Sequence, residues 1–222
     1  MEISRYPLPF SEFSQQISEV WDQSLAKKQI TTSQAARRDE FEDKCYRLYL
    51  NAFHGKLPFM VIGQEDLRES VEHLYNFGVL TADDVCCQKT INGPLSPELK
   101  QGAILSQKKW SILLNDSYVL GAVHANKDFH LYEPDGSLSN KDLWDPTYHR
   151  PRVLGRELMM LKAAGFSRFE HPFTQMETVF VRKEDQSMSL KKLINVAEKT
   201  ESLNEIRDFI RTNLLKRNDR VE

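Results

Sequence analysis

The chain has 222 residues, 40% of them hydrophobic and 28% charged, which is ordinary for one soluble domain with or without a helical extension. Thirty basic and 32 acidic side chains leave a net charge of −2, and this balance argues against a nucleic-acid-binding protein. The apolar runs are far too short to insert into a membrane, and the amino terminus lacks the apolar core of a signal peptide.

Apolar residues at steps of three and four predict that the first hundred residues are mainly helical. The pattern places helices over about 11–25 and 34–53, and a third helix that carries Leu67 and ends near Gly78. The turn signal Asn92-Gly93-Pro94 then marks the best internal boundary of the chain.

The middle of the chain predicts a β-meander. Residues 110–114 have the pattern of a strand, 115–116 of a tight turn, 117–125 of a second strand and 128–133 of a third. Both faces of this meander would be mainly apolar, whereas a sheet exposed on one side alternates between apolar and polar residues. We therefore expect protein layers over both faces.

The rest of the chain alternates between helix and strand signals. A polar loop is expected over 138–150, and its Leu143, Trp144 and Tyr148 should pack down onto the protein. Further elements are expected as a helix over about 152–164, strands over 166–170 and 177–182, and two helices in the tail around 190–197 and 203–214.

Together these elements predict an α+β fold. A helical amino-terminal part would pack with a mainly antiparallel sheet, built from the meander at about 110–133 and further strands at about 166–183, with helices over both faces. We expect a single globular unit over 1–222, in which 1–92 (helical) and 110–222 (α+β) are the candidate subdomains.

The three cysteines, Cys45, Cys86 and Cys87, suit a reducing compartment, because their number is odd and their spacing fits neither disulfides nor a metal site. Cys86 or Cys87 near a helix start, His124 at a strand end and Asp135 after the next strand follow the order of papain-like hydrolases. Each residue also has a structural explanation: small buried thiols, a core imidazole and a Pro-Asp-Gly turn.

Two other groups of residues carry chemistry in principle. Glu133 and Glu157 would form a carboxylate pair for acid–base catalysis if the fold brings them together. Asp142, Asp145 and His149 offer oxygen and nitrogen ligands, although at no known metal-ligand spacing. A helix start and a solvated loop explain the same residues, so we predict no metal and no cofactor.

Glycine-rich phosphate and dinucleotide cradles are absent as well, because no two of the nine glycines are close neighbours. We therefore predict a cytoplasmic protein that acts by binding another protein, as an accessory, effector or immunity-type factor. Its tryptophans and tyrosines supply the residue types that anchor interfaces. The alternative is a small cysteine hydrolase or transferase that uses Cys86 or Cys87, His124 and Asp135. The sequence leaves the oligomeric state open.

Overall fold

The computed structural model describes residues 6–55, 59–62, 111–132, 138–170, 177–182 and 188–212. In these residues the chain forms eight helices and six strands. Their bounds are α1 (Phe10–Ala26), α2 (Thr32–Ala35), α3 (Arg38–His54), β1 (Phe59–Ile62), α4 (Ile112–His124), β2 (Asp128–Tyr132), α5 (Asn140–Leu143), β3 (Trp144–Asp145), β4 (Arg150–Pro151), α6 (Val153–Ala163), β5 (Phe166–Glu170), β6 (Glu177–Arg182), α7 (Leu190–Glu198) and α8 (Leu203–Arg211).

Helices α1 and α3 form where the sequence predicts them, because each carries one apolar face. The buried face of α1 includes Phe13, Ile17 and Trp21, and the ring of Trp21 makes an edge-to-face contact with Phe41 on α3, with 5.6 Å between the ring centres. The predicted helix that carries Leu67 lies outside the described residues, as does the boundary at 92–94. None of the helices described is long and apolar enough to cross a membrane.

Helix α4 contradicts the predicted meander. From Ser111 onward, the predicted strands over 110–114 and 117–125 are wrong. The chain begins a helix there, and the Ser111 hydroxyl caps the first turn of that helix. The expected turn at Asn115-Asp116 lies inside this helix. Residues 113–123 are all buried, since α4 packs between α3, α6 and α7. A helix covered on every side has no polar face and therefore shows no helical period in its sequence.

The sheet has the strand order β1-β2-β6-β5. β1 runs parallel to β2, whereas β6 pairs antiparallel with both β2 and β5. Strands are present where the sequence predicts them at 166–170 and 177–182, and at 128–132 of the predicted 128–133, so the α+β class is confirmed. Helices α6 and α8 contact β5. The helical cover on both faces stays a prediction, as do the single unit and its subdomains.

The predicted loop over 138–150 contains regular structure. It holds the short helix α5 and a small hairpin, in which Trp144 of β3 is opposite Pro151 of β4 and Asp145 is opposite Arg150. This hairpin leads directly into α6.

Candidate functional site

Of the four predicted catalytic residues, the described part of the protein includes only His124. Cys86, Cys87 and Asp135 lie outside the described residues. His124 is the last residue of α4 and not the end of a strand, so this step of the papain-like order is wrong.

Both ring nitrogens of His124 take part in hydrogen bonds. Nε2 lies 2.7 Å from the carbonyl oxygen of Met188 and must donate to it, because a carbonyl only accepts. In the neutral imidazole Nδ1 then accepts from the Tyr49 hydroxyl at 2.9 Å, and that hydroxyl accepts from the backbone N–H of Leu8 at 3.0 Å. Burial is the main cause that raises the pKa of Tyr49 to about 12, which keeps its hydroxyl proton in place. His124 therefore links three segments of the core.

The other predicted groups also have local partners. Glu157 is buried and accepts a hydrogen bond from the Asn115 amide at 3.0 Å, whereas Glu133 lies outside the described residues. Asp145 Oδ1 accepts from the backbone N–H groups of Thr147 and Tyr148, at 3.0 and 3.3 Å. Within the ranges given above, His, Cys, Asp and Glu side chains form no group of three that could hold a metal ion.

A buried ion pair joins α4 to α6. The Asp116 carboxylate, fully buried, accepts from Arg156 Nε at 3.0 and 3.2 Å and from Nη2 at 2.7 Å. Burial raises the pKa of the Asp116 carboxyl, and the Arg156 guanidinium opposes that change. Such a bidentate contact fixes the relative position of the two helices and pairs their buried charges. No sequence pattern predicts this pair, because its two residues lie 40 positions apart.

A second carboxylate, Glu198, extends this network to the surface. Its Oε1 lies 3.1 Å from Gln29 Nε2 and 3.7 Å from Arg156 Nη1, and its Oε2 forms an ion pair with Lys27. These four residues are called the Glu198 junction. The junction brings together the end of α1, the start of α6 and the end of α7.

The hairpin beside this junction, residues 144–151, is called the Tyr148 hairpin. Leu143 and Trp144 at its base are buried, as predicted. The Arg152 N–H donates to the Leu143 carbonyl at 3.0 Å, and a Cβ added to Gly155 would lie 2.1 Å from the same oxygen. β4 also contacts both α6 and α7. The base of the hairpin is therefore held against α6 and α7.

The tip of the Tyr148 hairpin projects into solvent. The side chain of Asp145 closes the turn by accepting from two backbone N–H groups, and His149 adopts a positive φ of 47°. Tyr148 is 68% exposed, so the expectation that it packs down is wrong. The Arg150 guanidinium lies 4.9 Å from the centre of its ring, within the range of a cation–π contact. The dipeptide Asp145-Pro146 is a turn signal that could have predicted this tip.

No family model, curated protein or solved structure matches this chain. Its function is therefore argued from its own residues.

Proposed function

We propose that this protein acts by binding another protein, with the Tyr148 hairpin at the centre of the contact. The observation that carries the proposal is the exposed pair of Tyr148 and Arg150 on a backbone held by its own hydrogen bonds. Tyrosine and arginine are enriched among the residues that dominate binding energies. A side chain that is positioned before binding loses little conformational entropy when the partner arrives.

The expected contribution of Tyr148 follows from its exposure. A tyrosine buries roughly 200 Å² when it is fully enclosed. Since Tyr148 is 68% exposed, a partner that covers it removes on the order of 130 Å² from water. At about 25 cal/mol per Å², this burial contributes about 3 kcal/mol, or roughly a hundredfold in affinity.

The proposal is tested by photo-crosslinking in the cells that produce the protein. A photoreactive phenylalanine is placed at Tyr148, and at Tyr6 as the matched control. Tyr6 is 81% exposed and precedes the start of α1, whereas the hairpin contacts α6 and α7. We expect a discrete adduct with one protein from position 148 and none from position 6.

Co-purification of that adduct's partner provides the second arm. Tyr148→Ala should weaken the complex by roughly a hundredfold, as worked out above, and Tyr6→Ala should leave it intact. A complex that survives Tyr148→Ala, or adducts that form equally from both positions, would refute the proposal.

The described residues add nothing in favour of the cysteine hydrolase alternative. Both ring nitrogens of His124 are engaged in structural hydrogen bonds, and the other three residues of the constellation are outside the described ranges. That alternative stays a prediction.

A further inference from the structure

Four exposed cations flank the proposed binding surface. They are Lys28, Arg150, Arg152 and Lys199, here called the basic end. None of the four forms an ion pair in the part of the chain that the structure describes. By contrast, Arg37, Arg38, Lys44 and Arg47, the cations at the start and along the surface of α3, are all paired with carboxylates.

The Glu198 junction places these four residues at one end of the molecule. Lys28 lies between the two junction residues that follow α1, and Lys199 directly follows Glu198. Arg152 precedes the junction's arginine by one helical turn, and Arg150 belongs to β4, which contacts α6 and α7. The cations therefore lie on the hairpin or at the same end of the molecule, even though they come from three separate parts of the chain.

Most acidic groups near these cations already have partners. The acidic side chains nearest along the chain to Lys28, Arg150, Arg152 and Lys199 are Asp22, Asp145, Glu157 and Glu198 in that order. Glu157 is buried and accepts a hydrogen bond from the Asn115 amide. Asp145 already accepts two backbone hydrogen bonds within the hairpin. The carboxylates of Glu198 and Asp116 are occupied by the buried network. Among exposed groups that form no ion pair in the described residues, the four cations therefore outnumber the nearby carboxylates of Asp22 and Glu201, on a chain whose net charge is −2.

We infer that the partner presents an acidic protein surface to the basic end. This inference rests on the proposed function, because it describes the partner of the same hairpin. Tyr148 would fill the centre of the contact, while Arg150 and Arg152 pair with carboxylates at its rim, where arginine binds with two parallel hydrogen bonds. Charges at the rim accelerate association and select the partner. A nucleic acid fits less well, because four cations around a hairpin do not form the stripe that follows a phosphate backbone.

The test uses a fluorescent peptide of alternating Glu and Ala, titrated with the full chain at low salt. Arg150→Glu/Arg152→Glu is the test variant. Lys162→Glu/Lys192→Glu is the matched control, since these exposed lysines lie at the opposite ends of α6 and α7. We expect saturable binding that weakens roughly tenfold in the test variant and changes less than about twofold in the control.

A second variant protects the test against loss of the hairpin itself. Lys28→Glu/Lys199→Glu leaves the hairpin sequence unchanged and should weaken peptide binding by a similar factor. Circular dichroism before each titration checks that the variants are folded. Three results would overturn the inference. They are the absence of saturable peptide binding, equal losses of peptide affinity in the test and control variants, and tighter binding of a single-stranded oligonucleotide of equal charge.

Failure of the inference can be told apart from failure of the proposed function. One outcome is that position 148 crosslinks to a partner whose affinity changes neither with salt nor in the two charge-reversal variants of the basic end. In that case the proposed function stands and the acidic partner is refuted. If the peptide binds at the basic end but position 148 yields no adduct, the proposed hairpin contact fails while the charge preference holds.

Discussion

Replacing Asp116 with alanine is expected to destabilise the fold by about 3–5 kcal/mol. The wild-type carboxylate is fully buried and accepts from two nitrogens of Arg156 at 2.7–3.2 Å. Hydrogen bonds to charged groups contribute about 1.5–3 kcal/mol each, so two lost donors account for a cost of this size. After the substitution Arg156 keeps Glu198, at 3.7 Å, and a guanidinium does not release its proton inside a protein.

Urea unfolding followed by circular dichroism measures this cost. Arg156→Met and the double variant Asp116→Ala/Arg156→Met complete a thermodynamic cycle, and Asp22→Ala, which removes an exposed carboxylate, is the control. The double variant should be far more stable than the sum of the single changes predicts, because no unpaired charge remains in the interior.

Two results would refute this reasoning. One is a decrease of less than about 1 kcal/mol in the free energy of unfolding of Asp116→Ala, since removing a buried, paired carboxylate leaves an unpaired buried guanidinium. The other is strict additivity in the double variant, which would mean that the two charges do not depend on each other. If Asp116→Ala does not fold, Asp116→Asn replaces it in both the single and the double variant.

Three further predictions concern other parts of the core. Gly121→Ala should destabilise the protein by about 1–3 kcal/mol, because the new Cβ would lie 2.1 Å from the Tyr49 carbonyl oxygen. This clash outweighs the higher helix propensity of alanine. Urea unfolding measures the change, and a variant more stable than the wild type would contradict the prediction. Burial lowers the pKa of Lys127 to about 8, so the folded protein releases a proton that the unfolded chain holds up to about pH 10.4. The contribution of Lys127 to the free energy of unfolding should therefore increase with pH between about 8 and 10.4. A pH series of urea titrations should detect this increase in the wild type and not in Lys127→Met. Burial also raises the pKa of the Cys45 thiol, so in a variant that lacks the other two cysteines Ellman's reagent should react only as the chain unfolds; rapid labelling of the folded protein would disprove this.

Elements with one solvent-facing side were predictable from the sequence. Helices α1, α3, α7 and α8 carry apolar residues at steps of three and four, because their other side meets water. Helix α4 has no such side: residues 113–123 are buried without exception. Its apolar run was therefore compatible with a strand, and the polar pair Asn115-Asp116 inside it had the pattern of a turn. Whether this stretch forms a helix or a strand depends on the helices that pack around it.

The candidate surface could be predicted even less well, because it depends on partners that are distant in the chain. Arg156 is recognisable as a charged residue near a helix start, but nothing beside it indicates that Asp116 is its counter-ion. Tyr148 is typical of both cores and interfaces, and its exposure follows from how the hairpin sits on α6 and α7. The four cations of the basic end become neighbours only through Glu198.

The strand order also determines when the sheet can assemble during synthesis. β2 lies between β1, which precedes it, and β6, which follows it, and among the described strands β5 pairs with β6 alone. The parallel pair β1–β2 is thus the first that a growing chain can complete, while the other edge of β2 waits for residues 177–182 to leave the ribosome. A product truncated after residue 170 would lack β6, leave β5 without its partner and expose an edge of β2. Unpaired strand edges promote aggregation, so a premature stop in this region should give an insoluble product rather than a weakened one.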